Sequence, residues 1–158
     1  MKKKEKIIVA VSGGFDPVHI GHIRMFEEAK ALGDELVVIL NNDNWLRKKK
    51  GKEFMSESER KEILESLRVV DRVYLTGHAE GVDDMSVCDT LKELKPHIFA
   101  NGGDRKPDGD PVPEVETCEK LGIKMVYNVG HGGKVQSSSW LLDTYATHKS
   151  KKKRHLRK

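Results

Sequence analysis

The chain has 158 residues, 37% of them hydrophobic and 34% charged, with a formal net charge of +4 and a pI near 9.0. That length fits one domain, which buries roughly 68–70% of the surface its unfolded chain exposes, and no apolar run approaches the roughly 20 residues that span a bilayer. A membrane protein is excluded, and the short apolar run behind the basic start reads as a mature cytoplasmic chain rather than a leader. Cys88 and Cys118 lack metal-type spacing and fall within predicted helices, so they read as buried free thiols. Seven positive charges and no acid lie in residues 149–158, and taking them from +4 leaves −3 on the body. With so little apolar content this segment reads as an unstructured basic tail, so the expected division is a domain over 1–148 and a tail over 149–158. Nucleic acid could be engaged only through that tail.

In chain order, Ile7 to Val11 is a continuous apolar, β-branched run ending at Gly13-Gly14, the pattern of a strand buried on both faces. Ile23, Phe26, Ala29 and Leu32 recur at helical spacing after it, with Gly33 as a left-handed stop. Leu36 to Leu40 is a second buried strand, and Asn41 to Lys52 reads as a polar, lysine-rich loop. Ser56 and Glu59 form a capping box for a helix carrying Ile63, Leu64 and Leu67. Strands are expected over 69–75, 97–100 and 124–129, helices over 85–94 and 115–121, and a last helix from near Ser137. The fold class is therefore α/β: a single Rossmann-like, doubly wound domain with a five-stranded parallel sheet. Its ligand belongs beyond the carboxyl ends of the strands, where four polar segments emerge.

The first of these, Gly13-Gly14-Phe15-Asp16-Pro17-Val18-His19-Ile20-Gly21-His22, turns tightly on its glycines and enters a helix between two histidines. Spaced three apart, His19 and His22 share a helical face at a helix start, where backbone amides favour phosphate. Imidazoles placed there can donate to phosphoryl oxygens as charge builds in a transition state. Two such histidines could equally be a metal half-site or cap residues. The whole string, G-x-F-D-x-x-H-x-G-H behind a buried strand, resembles the signature of the cytidylyltransferase-like nucleotidyltransferase superfamily, and the resemblance covers nearly the whole chain.

That resemblance implies a nucleoside triphosphate substrate, in-line attack of an acceptor phosphate on the α-phosphorus, and release of pyrophosphate without a covalent enzyme intermediate. It implies Mg²⁺ held mainly through the triphosphate, with no protein metal site, and His19 and His22 as the groups that stabilise the transition state. Gly13, Gly14, Phe15, Asp16 and Gly21 complete the first nucleotide-binding segment. In the second segment Lys50-Gly51 resembles the K-G of heptose-phosphate adenylyltransferases, making Lys50 the third catalytic candidate. Lys48, Lys49 and Lys52 are expected to hold the acceptor, with Arg60 of Glu59-Arg60 helping to shape that part of the site.

Asn101, Gly102 and Asp104 follow the fourth strand, where Gly102-Gly103-Asp104 resembles the G-G-D of the heptose-phosphate enzymes. In the last segment Lys134, Ser137, Ser138 and Ser139 suit the β- or γ-phosphate. The R-T-E-G-I-S-T-T of glycerol-phosphate cytidylyltransferases has its arginine where Gly132 stands here. His19-Ile20-Gly21-His22 also spells the H-I-G-H of class I aminoacyl-tRNA synthetases, but the chain is too short for their further domains. Phosphopantetheine and nicotinate-mononucleotide adenylyltransferases share the first motif yet carry an arginine where Leu142 stands, which ranks them lower. The expected reaction is transfer of a nucleoside monophosphate from CTP or ATP to a phosphorylated small polyol or sugar, of the glycerol-3-phosphate or heptose-1-phosphate type. The alternatives are a coenzyme-type adenylyltransferase acting on pantetheine phosphate, nicotinate mononucleotide or FMN, and a non-catalytic nucleotide- or RNA-binding protein. Similar enzymes commonly form homodimers.

Overall fold

The computed structural model describes residues 2–103, 113–132 and 135–155. Two expected nucleotide-binding residues, Asp104 and Lys134, lie outside them. The strands are β1 (Ile8–Gly13), β2 (Glu35–Leu40), β3 (Arg72–Leu75), β4 (Ile98–Gly102) and β5 (Lys124–Val129). The helices are α1 (Ile20–Lys30), α2 (Asp43–Lys50), α3 (Glu57–Glu65), α4 (Cys88–Leu94), α5 (Glu114–Leu121) and α6 (Ser138–His155). All paired strands are parallel, in the order β3-β2-β1-β4-β5. This is the expected five-stranded, Rossmann-like α/β sheet.

Strand alternation explains its two covered faces. Val9 and Val11 of β1, with Leu36, Val38 and Leu40 of β2, meet Phe26 and Ala29 of α1 and Leu64 of α3. Ala10, Ile39 and Phe99 point the other way, onto Leu91 of α4 and Cys118 of α5. Because β1 has β2 on one side and β4 on the other, the chain reverses its winding beside β1. A crevice opens there at the carboxyl ends of the strands. Both cysteines are free thiols; Cys118 is buried, Cys88 only partly so, and burial pushes the Cys118 thiol up to about 11.

Three local expectations are corrected. Residues 43–50 form helix α2 rather than a loop: the Asn42 side chain accepts from Trp45 N at 3.0 Å, and Gly51 closes the helix at φ 86°. Arg47, Lys48, Lys49 and Lys50 crowd its last turn, where cations suit the helix dipole. Gly33 is not a left-handed stop, since α1 ends on Ala31 in the right-handed region. A Cβ on Gly33 would lie 2.7 Å from the Ile7 carbonyl oxygen, so its glycine serves close approach to β1. Helix α6 runs to His155, carrying the first part of the expected tail into regular structure. Lysine and arginine are good helix formers, which offsets the lack of apolar residues.

Candidate active site

A cavity of about 570 Å³ occupies the crevice, walled by the turn after β1, the start of α1, helix α2, the ends of β4 and β5 and the entry to α6. Of the expected residues it gathers Gly14, Phe15, Asp16, His19, Gly21, His22, Lys49, Lys50, Gly102 and Ser137 to Ser139.

The histidines are fixed by the helix they begin. His19 is the N-cap of α1, and its Nδ1 accepts from Gly21 N at 3.1 Å. His22 Nδ1 accepts from His19 N at 3.2 Å, and the two rings stack with centroids 3.7 Å apart. A nitrogen that accepts from an amide carries no proton, so each neutral ring must carry its hydrogen on Nε2. Burial, then the neighbouring His19, then Lys50 lower the His22 imidazole from its usual 6.5 to about 3, and burial lowers His19 as well. Both are therefore neutral donors at physiological pH. Phe15 and Phe26 wall the His22 ring, with Phe15 edge-on at 4.9 Å. A Cβ on Gly21 would lie 3.0 Å from His19 Cε1, so glycine there makes room for the His19 ring.

The rest of the first segment is scaffold. Asp16 is buried, and its two carboxylate oxygens accept from Phe54 N at 2.6 Å and Met55 N at 2.7 Å, pinning the loop before α3. Gly13 lies under the Phe15 ring, where a Cβ would approach to 2.9 Å, and is not on the cavity wall. Asn101 is buried away from the wall and donates to the Phe99 carbonyl at 3.4 Å.

Arg60 is placed differently from the expected acceptor contact. Its side chain is 0% exposed. Nη1 donates to the carbonyls of Gly14 at 2.8 Å and Asn41 at 2.7 Å, Nε to Met55 O at 3.0 Å, and Nη2 to the Asp43 carboxylate at 2.7 Å. The guanidinium thus fastens the β1 turn, the end of β2, the start of α2 and the entry to α3, and acts on the site as a positioning residue. Of the four lysines of the second segment, Lys49 and Lys50 are on the described wall, and Lys48 and Lys52 are not. Lys49 Nζ lies 5.1 Å from the Trp45 ring centroid. Arg47 is occupied by a two-pronged pair with Glu53 at 2.8 and 2.9 Å, which holds that carboxyl down to about 2.

The wall also contains Met25, Trp45, Asn128, Gly130, His131 and Gln136, which sequence reasoning did not single out. Trp45 is anchored through its indole N–H to Met85 O at 2.9 Å, and Asn128 adopts φ 57°. Asn128 has no sequence signal, whereas Trp45 lies within the Asn41 to Lys52 segment. Gly130-His131 likewise lies in the fourth polar segment at the end of β5. At the entry to α6 the Ser138 hydroxyl donates to Pro17 O at 2.8 Å, closing the site against the first turn. The wall as a whole offers neutral donors, helix-start amides and cations to a polyphosphate.

A family model described as cytidylyltransferase-like matches residues 10–126. The FAD synthase of Thermococcus kodakarensis is 41% identical over 121 residues, covering 76% of this chain and 72% of that protein. The FAD synthase of Thermococcus sibiricus is 39% identical over 115 residues, 72% of this chain and 74% of that protein. The bifunctional protein HldE of Pelobacter propionicus is 37% identical over 110 residues, which make up 68% of this chain but 21% of that protein. Among solved structures, the lipopolysaccharide core biosynthesis protein of Thermoplasma volcanium superposes with a TM-score of 0.64 at 33% identity, covering 80% of this chain and 99% of that one. By the family model that matches residues 10–126 and the identity to these relatives, the chain is a nucleotidyltransferase and belongs to the cytidylyltransferase-like family.

Proposed function

We propose that this enzyme is an FAD synthase, joining the adenylyl group of ATP to FMN and releasing pyrophosphate. The carrying observation is the extent of likeness to proteins of that name: 39–41% identity over about three quarters of both chains. This reverses the order of acceptors read from the sequence, where a polyol or sugar phosphate stood first. Leu142 distinguishes this chain from two other coenzyme adenylyltransferases, but it does not bear on a flavin acceptor.

In the proposed reaction a phosphate oxygen of FMN attacks the α-phosphorus of ATP, the bond to the β-phosphate oxygen breaks, and pyrophosphate leaves with that electron pair. His19 and His22 donate Nε2–H to the α-phosphate oxygens as charge gathers on them, while Lys50 and the amides at the start of α6 hold the outer phosphates. The described residues contain no group of three or more His, Cys, Asp or Glu able to hold a metal, and both Asp16 oxygens are already taken. Mg²⁺ carried by the triphosphate would shield phosphate charge in this reaction. The test crosses ATP and CTP with FMN, heptose 1-phosphate and glycerol 3-phosphate. FAD and pyrophosphate should appear with ATP and FMN; pyrophosphate with a sugar or polyol phosphate and none with FMN would overturn the proposal.

A second reading, adenylyl transfer to a heptose phosphate, is favoured by the likeness to HldE and to the Thermoplasma lipopolysaccharide core protein. The same assay separates the two.

A further inference from the structure

Where β4 and β5 reach the cavity their pairing breaks step. Ala100 pairs with Val126 and Gly102 with Val129, so Asn101 alone stands opposite Tyr127 and Asn128. Two residues against one is a β-bulge, which bends a strand and re-aims a side chain. The core shows the effect: Val126 and Val129, three apart rather than two, pack into the same cluster on one face of the sheet. The inserted residue, Asn128, takes φ 57°, and its exposed side chain lies on the cavity wall. Left-handed backbone is uncommon outside glycine, and where other residues hold it they cluster at ligand sites. Glycine would adopt this conformation at less cost, so the amide is what asparagine adds.

Resting on the reading of the nucleotide as ATP, we infer that Asn128 reads the adenine base and is a specificity-determining residue for the nucleotide. Its Oδ1 lies 3.1 Å from where a Cβ on Gly103 would stand, so glycine there keeps the amide uncovered. Met25 Sδ is 3.5 Å from the corresponding point at Gly102, and Met25 Cα 3.5 Å from that at Gly130. All four of these neighbours line the cavity, and backbone without side chains lets a flat ring approach closely. The wall residues from Gly102, Gly103 and Asn128 to Gly130 include no lysine, arginine or acid. Lys49 and Lys50 belong to α2, which follows β2 on the other side of β1. Phosphate charge is thus served from one side, and the uncharged β4–β5 side suits the base. The adenine amino group donates to Asn128 Oδ1 and the ring nitrogen beside it accepts from Nδ2, the two-point match of a carboxamide to adenine.

The test uses the full chain and Asn128→Gly, which removes the amide and suits the left-handed backbone. ATP is compared, with FMN as acceptor, against purine riboside triphosphate, which lacks the 6-amino group. The wild type should favour ATP in kcat/KM by about 5- to 100-fold, the worth of a matched amide–base pair. Asn128→Gly should lose most of that preference through a raised KM for ATP, with the KM for FMN unchanged and Tm within about 4 °C of the wild type. A preference that survives in Asn128→Gly, or is absent from the wild type, overturns the inference and leaves the proposed function standing. So does an equal loss with both triphosphates or a larger fall in Tm, either of which makes Asn128 a support of the sheet end. Should the wild type make no FAD, the proposed function falls, and equilibrium binding of the two triphosphates to both proteins decides this inference separately. The same preference, lost in Asn128→Gly, then supports it, and equal binding overturns it.

Discussion

Replacing Arg60 by lysine tests how the site is held together. The guanidinium makes four hydrogen bonds from full burial, three to carbonyls and one to the Asp43 carboxylate, whose side chain is 15% exposed. Lysine keeps the charge, but one ammonium cannot reach the carbonyls of Gly14, Asn41 and Met55 together with Asp43. Breaking a buried pair of this kind costs about 3–5 kcal/mol, because the remaining groups stay buried and unpaired. For a domain of this size that corresponds to a fall in Tm of roughly 6–20 °C. Thermal unfolding of Arg60→Lys and Arg60→Met, with Asp43→Ala to close a double-mutant cycle, would read the loss and the coupling between the pair. If Arg60→Lys instead leaves Tm within about 2 °C and raises only the acceptor KM, the side chain is the acceptor ligand that the sequence suggested, and the positioning argument fails.

The remaining predictions concern the site itself. His19→Ala or His22→Ala should lower kcat about 100-fold or more with little loss of fold, and His22→Gln, whose amide nitrogen reaches the Nε2 position, should retain more activity than His22→Asn; equal activity in all variants would refute the donor role. Because the folded His22 is lowered to about 3 from 6.5, its contribution is complete above pH 6.5 and is lost as pH falls towards 3. Between pH 7 and 5 the wild type should therefore lose about 2 kcal/mol more than His22→Gln in urea unfolding, and parallel losses would contradict the burial of a neutral ring. Lys50→Ala should weaken ATP binding or turnover by about 10- to 100-fold, as expected for hydrogen bonds to charged phosphate, while Lys48→Ala, off the cavity wall, should change either by no more than about twofold.

The sheet was legible because buried parallel strands write themselves as unbroken apolar runs, as in Ile7 to Val11 and Leu36 to Leu40. The histidine pair was legible because helix geometry brings residues three apart together whatever surrounds them. Helix α2 was hidden by its own charge: Asn42 and Gly51 are ordinary start and stop signals, but four consecutive cations without a full apolar stripe mimic a solvated loop. Arg60 shows a different limit. Its neighbours in the sequence are those of an exposed helix start, and only the convergence of Gly14, Asn41, Asp43 and Met55 around it accounts for its burial. Met25 and Asn128 reach the wall through tertiary packing that no local pattern encodes.

Neutral histidines are better suited to this chemistry than cations in the same place would be. A fixed positive charge attracts the triphosphate in the ground state almost as strongly as in the transition state, and uniform binding of that sort lowers KM without raising kcat. A neutral Nε2–H held in position gains most where the α-phosphate oxygens acquire charge. In the proposed reaction the fold separates the two tasks in space. Lys49 and Lys50 stand exposed at the last turn of α2, within reach of a polyphosphate but hydrated. His19 and His22 are drawn in beside Phe15 and Phe26, and each ring is held by a backbone amide at Nδ1, so the donor on Nε2 needs no reorganisation during the reaction. The burial that lowers the His22 pKa is thus the same packing that makes the ring a directed donor. Loss of Lys50 should accordingly appear mainly in the KM for ATP, and loss of either histidine mainly in kcat.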